Sequence, residues 1–294
     1  MRKIQHVLLI LLIGIMVWGC AAAQLDSAKN QYELALRASD PLPYYKAALE
    51  ELEGVIKRDP SNYQAYAIRG LIYRQLEDYD QATENLEIAK QGTFTAGVQW
   101  VPLVINLTYG DVFHARAGNA IRAGDWERAK SYQETALEFF NQVVNTSFTT
   151  AAETGDNAQL GITIQELYVT AQGRWAAAKF QMAVIAGKAE SKERQNELLR
   201  EVTTRLGSVV ETYPEATSLR YYLADGYRKQ ALTLRATDPT ESQQLEQQAM
   251  SQLRACAELG LPSDLRNSAA QLFSTLSKGT EPEIEQKILG GPAR

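Results

Sequence analysis

The sequence predicts an all-α protein made of stacked helical hairpins, and three observations lead there. Apolar residues recur three and four positions apart in almost every segment beyond residue 24, as in QYELALRA, YYKAALEELEGVIKR, QAYAIRGLIYRQLE and YDQATENLEIAK. That spacing puts them on one face of a helix. No run alternates cleanly enough for a strand; the nearest, GITIQELYV, still steps by three or four through Leu160, Ile164, Leu167, Ala171 and Trp175. Breakers punctuate the pattern at SDPLP (39–43), RDPSN (58–62), NTSF (145–148), TYPEATS (212–218), ATDPTES (236–242) and GLPSD (260–264), where Pro, Gly, Asn and Asp favour turns.

The first element is the amino terminus. Arg2 and Lys3 precede an apolar run of twelve residues, Val7 to Trp18. A bilayer span takes about 20 residues, so this run is short for a membrane helix and has the layout of a secretory signal peptide. The stretch VWGC that closes it, residues 17–20, resembles the lipobox of bacterial lipoproteins: an aliphatic residue, a variable one, a small one, then cysteine. The resemblance implies a signal peptide at 1–19, cleavage before Cys20, and lipidation of Cys20: a diacylglycerol on its thiol and an acyl chain such as palmitate on its amine. Two or more chains, at ~0.8 kcal/mol per buried methylene, give lasting attachment. The alternative is an uncleaved anchor helix running on through Ala21–Ala23. Ala21 stands where an Asp often marks inner-membrane retention, so the expected location is the outer membrane, facing the periplasm.

The hairpins follow in order. Residues 63–96 carry Tyr66, Gly70 and Tyr73, then Ala82, Leu86 and Ala89. This order of large and small residues resembles the tetratricopeptide repeat (TPR), a helix-turn-helix unit of 34 residues; Arg69 and Phe94 depart from its pattern. Residues 29–62 fit mainly in their second half, with Ala48, Leu52 and Pro60. In their first half Ala35 and Leu36 stand with large and small exchanged, and a turn one residue longer would put Leu34 and Ala35 there, at the expense of Tyr32. Residues 110–143 supply Phe113, Ala117, Ala129 and Ala136 around AGDWERA. A fourth copy opens with Leu223, Ala224 and Tyr227 and resumes after ATDPTES with Ala249, Leu253 and Cys256. Antiparallel helices approach closely only where Gly or Ala faces the partner, and large residues fill the grooves beside them. Gly124 is placed to close a helix in the left-handed conformation, Asp125 to cap the next, and Asp78 with Gln81 to form a capping box. One hairpin cannot cover its own apolar face, so the resemblance implies a right-handed superhelix, an α-solenoid with a concave side. The expected organisation is TPR-like repeats at 20–146, long helices of irregular pairing at 147–214, TPR-like helices at 215–277 and a flexible tail at 278–294.

Chemistry is sparse. The net charge is −5, and removing residues 1–19, which hold Arg2 and Lys3 and no acid, makes it −7. Nucleic-acid binding needs a basic footprint and is not expected. With Cys20 lipidated, Cys256 is the one remaining thiol and no internal disulfide can form; between Ala255 and Ala257 it reads as a compact packing residue. His114 is the single histidine beyond residue 20. A His-rich or Cys-rich metal site is therefore excluded, and no phosphate-binding glycine loop is present. The expectation is no enzyme, no metal and no cofactor beyond the lipid.

In TPR proteins the first helix of each repeat lines the concave side. By that resemblance the partner-binding residues are Arg74, Gln75, His114, Arg122, Tyr221, Arg228 and Lys229, with Asp111 and Asp225 on the same faces. A ladder of cations there would take the carboxylates of an acidic peptide; the plain alternative is that basic residues favour helix ends. The expected function is a membrane-anchored periplasmic adaptor that docks another envelope protein. The competing expectation is a ligand-binding subunit associated with a transporter, motivated by the apolar insertion TAGVQWVPLVINLTYG at 95–110, which otherwise reads as an extra packing helix started by Pro102.

Overall fold

The computed structural model describes residues 22–92, 100–154 and 164–290, with side chains at 22–92, 102–147 and 165–290. The signal peptide, Cys20 and Phe94 lie outside the described residues. Every regular element among them is an α-helix: α1 (22–37), α2 (Leu42–Arg58), α3 (Tyr63–Gln75), α4 (Tyr79–Lys90), α5 (Trp100–Ala123), α6 (Trp126–Thr154), α7 (Ile164–Ala189), α8 (Lys192–Thr212), α9 (Thr217–Leu234), α10 (Pro239–Leu259), α11 (Ser263–Ser277) and α12 (Pro282–Gly290). The described residues divide into two compact units, the first ending at Val112 within α5 and the second beginning at Phe113. The all-α, TPR-like hairpins expected from the sequence are what each unit contains.

In the first unit the α3–α4 hairpin shows why its sequence is so constrained. A Cβ added to Gly70 would lie 2.8 Å from Leu86 Cγ and 3.3 Å from the Ala82 carbonyl oxygen. Ala82, Leu86 and Ala89 are fully buried opposite it. The crossing has no room for a methyl group on α3, so glycine there is a packing requirement. Arg69, which departs from the repeat pattern, is also employed. Its guanidinium sits 5.1 Å from the Tyr66 ring centroid, and its Nε donates to the side-chain oxygen of buried Asn85.

The first hairpin keeps the same device with a longer turn. Ala35 and Ala48 are both buried and 13 positions apart, against 12 for Gly70–Ala82 and for Ala117–Ala129. Tyr32 nevertheless stays in the core, its ring 6.3 Å from that of Tyr45. Leu34 and Leu36 are both 50% exposed, so neither takes the large-residue position that the sequence offered them.

The turns of the second and third hairpins are the same object written differently. Gly124 N–H donates to the Ile121 carbonyl and Asp125 N–H to that of Ala120; Glu77 and Asp78 make the same two bonds to Arg74 and Tyr73. Gly124 has φ +75° and Glu77 φ +60°. Glycine takes this left-handed conformation freely, whereas Glu77 is held in it by the flanking helices. Asp125 caps α6 through the Arg128 N–H, and Asp78 caps α4 through the Gln81 N–H. The Gln81 side chain reaches Glu84 and not back to Asp78, so the expected capping box is half made.

In the second unit each helix from α6 to α10 packs on the next, and α7–α9 and α9–α11 also touch, so alternate helices lie side by side. Two glycines permit these contacts between neighbouring hairpins. A Cβ on Gly173 would lie 3.0 Å from the Tyr222 ring, and one on Gly226 3.1 Å from Thr203 Cγ2.

Three expectations need correction. NTSF does not break the chain, and the expected boundary at 146/147 falls inside α6. The stretch has neither Gly nor Pro, its polar residues cost less than about 0.7 kcal/mol each in a helix, and Val143, Val144 and Ser147 are buried. The section 147–214 is not irregularly paired where it is described: α7 and α8 form an antiparallel hairpin across Glu190 and Ser191 and pack on their sequence neighbours. The tail is not wholly flexible, because 282–290 forms α12. Ile288 is buried, Ile284 and Leu289 pack against the same core as Phe273, and Arg254 grips the Glu281 carboxylate with Nε at 3.2 Å and Nη2 at 2.6 Å. Residues 291–294 lie outside the described residues.

The tightness of the crossing can be measured. Gly70→Ala should lower the urea-unfolding free energy by about 1–3 kcal/mol, because Leu86 and a backbone carbonyl block the new methyl. Gly207→Ala, in a helix with nothing within 4 Å of the added carbon, should raise it by about 0.5–1 kcal/mol through helix propensity. Equal gains at both sites would show that the α3–α4 crossing is not closed.

Candidate functional site

Two of the four cations expected to line a groove, Arg74 and Lys229, are neutralised by acids of this chain. In the first unit Arg74 Nη2 lies 2.6 Å from Asp111 Oδ2, with the two side chains only 24% and 11% exposed. Its Nη1 donates to Gln75 Oε1 at 3.1 Å. Gln75 also hydrogen-bonds the hydroxyl of Tyr32, whose burial pushes the phenol up to about 12. Arg74 is thus an internal tie between the end of α3 and α5, placed among buried tyrosines.

The other expected residues belong to the second unit. Lys229 pairs with Asp225 one turn earlier on α9 and sits 4.8 Å from the Phe180 ring centroid. Arg122, exposed at the end of α5, donates to the Asn119 side-chain oxygen. Arg228 is half-buried on α9 and meets no acid or acceptor among the described residues. Tyr221 is half-buried, its ring 5.4 Å from that of Tyr222, and it hydrogen-bonds Ser268 of α11; burial raises its phenol. His114 ties three helices together: its Nδ1 is 2.8 Å from Gln133 Nε2 on α6, and its Nε2 is 3.4 Å from Gln181 Nε2 on α7. Tyr221 and Arg228 therefore share α9 with Lys229, whereas Arg74 and Gln75 stand in the other unit.

One cluster escaped the sequence reading. Arg205 of α8 stacks over Trp175 of α7, with its guanidinium carbon 4.0 Å from the ring centroid. Its Nε donates to Gln172 Oε1 at 2.8 Å and its Nη1 to Asn141 Oδ1 at 3.0 Å. Lys179 lies 5.6 Å from the same ring and pairs with Glu201 at 2.7 Å. Gln172, Trp175 and Lys179 share a face of α7, but Arg205 lies 30 or more positions from Trp175, Gln172 and Asn141, so no local spacing brings it to them; only the apolar-face position of Trp175 was legible.

Cys256 is fully buried, its Sγ 3.5 Å from the Thr217 carbonyl oxygen, and burial pushes the thiol up to about 12. That is a packing residue and not a nucleophile, since the thiolate is the reactive form. Among the described residues no group of three or more His, Cys, Asp or Glu side chains is arranged to hold a metal ion, and no helix is long and apolar enough to cross a membrane.

No protein-family model matches the chain, and neither does any curated protein. Solved structures similar to it include two TPR proteins. One is the C-terminal part of a TPR repeat-containing protein from Cytophaga hutchinsonii: 13% identity, 84% of this chain and 90% of that chain covered, TM-score 0.32. The other is the TPR domain of P58(IPK): 12% identity, 90% and 96% covered, TM-score 0.21. The description of the hairpins as TPR-like rests on the crossings and turns of this chain itself.

The buried thiol gives a pH-dependence with a definite sign. Unfolded cysteine ionises near pH ~8.5, and folded Cys256 at about 12. Between these values the folded state holds a proton that the unfolded state has lost. Stability is therefore intact below pH ~8.5 and falls as pH rises towards 12. In a Cys20→Ala background, native protein at pH 8 should leave a thiol reagent unreacted until it is unfolded, and Cys256→Ala should shallow the alkaline loss measured by urea titration. Immediate labelling of the native protein would refute the assignment.

Proposed function

We propose that the protein is a lipid-anchored adaptor of the bacterial envelope that binds a protein partner and performs no catalysis. The observation that carries the reading is the face on which α7, α9 and α11 lie side by side, with half-buried Tyr221 and Tyr222 and Arg228, which meets no acid or acceptor among the described residues. Tyrosine and arginine combine apolar area with directional hydrogen bonds, the composition on which protein interfaces concentrate their binding energy. The signal-like amino terminus and the lipobox-like VWGC support export, lipidation at Cys20 and residence in the outer membrane facing the periplasm.

The transporter-subunit reading has less behind it. Its motive was the apolar insertion, yet Leu103, Ile105, Tyr109 and Val112 of that stretch and the turn beyond are buried in α5. Tyr109 donates from its hydroxyl to the Thr83 carbonyl at 3.4 Å, and burial drives its phenol far above the usual range. These residues are packing residues of α5; residues 95–99 and the side chain of Trp100 lie outside the described residues.

If Cys20 carries the lipid, the first hairpin stands close to the bilayer. The chain is already helical at residue 22, and Arg58 at the end of α2 donates to Gln24 beside it.

Growth with radiolabelled palmitate tests the anchor: the wild-type chain should be labelled and sediment with outer membranes, and Cys20→Ala should be neither. A photo-crosslinking residue in place of Arg228 should trap one discrete adduct in intact cells, while the same group at exposed Gln248 on α10 should trap none. Equal, diffuse crosslinking from both positions would remove the adaptor reading.

A further inference from the structure

We infer that Arg205 is a receptor for a carboxylate, the group through which an acidic partner docks on the second unit. Its guanidinium is fixed in plane and direction by three helices: Trp175, 1% exposed, lies beneath it, with Gln172 of α7 and Asn141 of α6 at its edge. Both acceptors are neutral amides. They orient the group without neutralising it. A guanidinium has five N–H donors, and two are used, so three remain: both on Nη2 and one on Nη1. No carboxylate among the described residues lies within ion-pair range of Arg205. The nearest claimant, Glu201 one turn earlier, is committed to Lys179 at 2.7 Å.

Charge balance and geometry point the same way. Around Trp175 stand two cations, Arg205 and Lys179, and one acid, Glu201, leaving a surplus of one positive charge. Arg205 is half-buried, and desolvation already weakens its hold on its proton. The Tyr168 phenol and Glu201 offset that desolvation only in part, and a carboxylate accepting from Nη1 and Nη2 together supplies one charge in the planar, bidentate form that the fork matches. Because stacking and the two amides have already ordered the side chain, little conformational entropy is lost on binding. A phosphate, with roughly two charges at neutral pH, would overcompensate the surplus.

This deepens the adaptor reading by naming the chemistry of the partner, and it rests on that reading only for the carboxylate's source. The test uses pure full-length protein labelled with 15N-arginine. Arg205 is assigned by nuclear Overhauser contacts to the Trp175 indole, and its side-chain signals are followed in sodium acetate, sodium chloride and sodium phosphate at matched ionic strength. Acetate should shift the Arg205 Nη signals saturably and the other salts should not. A peptide of alternating Gly and Glu should do the same at lower concentration, and its Gln counterpart should not. Arg205→Lys keeps the charge but loses the fork, and should weaken the Glu peptide about tenfold. Equal shifts in all three salts, or no saturable shift, would overturn the proposal, and this wild-type titration decides it even if Arg205→Lys fails to fold. A folded Arg205→Lys that binds the Glu peptide as wild type does would also overturn it. Acetate binding without a cellular adduct from Arg228 would instead remove the adaptor reading and leave the carboxylate site standing.

Discussion

The described structure depends on one constraint: antiparallel helices must come close enough that, at the point of crossing, one of them has no side chain. Gly70 against Leu86 and Ala82 is the sharpest instance, and Ala35–Ala48 and Ala117–Ala129 are milder ones. Close approach brings the flanking large residues into contact and buries them from both helices at once, so a short hairpin acquires a core. Each hairpin still leaves one apolar face uncovered, and within the second unit the next hairpin covers it. The same logic operates between hairpins, where Gly173 admits the Tyr222 ring and Gly226 admits Thr203.

The polar chemistry is subordinate to that packing. Asp111 absorbs the charge of Arg74, Asp225 that of Lys229, and Glu281 that of Arg254. His114 is held between carboxamides of α6 and α7. All but Asp225–Lys229 join separate segments of the chain, and all of them take out of circulation groups that an isolated helical wheel would assign to ligands. On the proposed adaptor reading, recognition falls to the tyrosines and Arg228 of α9 and to the fork of Arg205. For an acidic chain such a reading makes attraction of an acidic partner local, because the overall charge opposes it.

Much of the fold was legible because it is written in local spacing. The 3.6-residue period, the Pro and Gly breakers and the small residues of the α3–α4 hairpin are all short-range signals. Cys256 was also readable as packing, from its alanine neighbours. The failures have physical causes. NTSF has turn composition, but no Gly or Pro enforces a turn, and burial of Val143 and Val144 holds α6 together. The tail looked too short of apolar residues to bury, yet Ile284 and Ile288, four apart, suffice to dock one turn of helix on an existing core. Glu77 occupies a left-handed position that sequence reading reserves for glycine. At the candidate site, the expected cations do lie on helices; the Asp225–Lys229 pair, four apart on α9, was legible as a local pair, but the pairing of Arg74 with Asp111, 37 positions away, depends on distances between helices that spacing cannot convey. In the Arg205–Trp175 cluster the meeting of α6, α7 and α8 at one guanidinium leaves no pattern in the sequence.

The most direct test of the central constraint is a nuclear Overhauser measurement between the methyl groups of Leu86 and the α-protons of Gly70 in methyl-labelled protein. A closed crossing, with Leu86 Cγ 2.8 Å from where a Gly70 Cβ would stand, predicts strong cross-peaks from at least one Leu86 methyl. Their absence, in a spectrum where Leu86 still shows its contacts within α4, would mean that the helices stand apart and that the packing described for the hairpins is wrong.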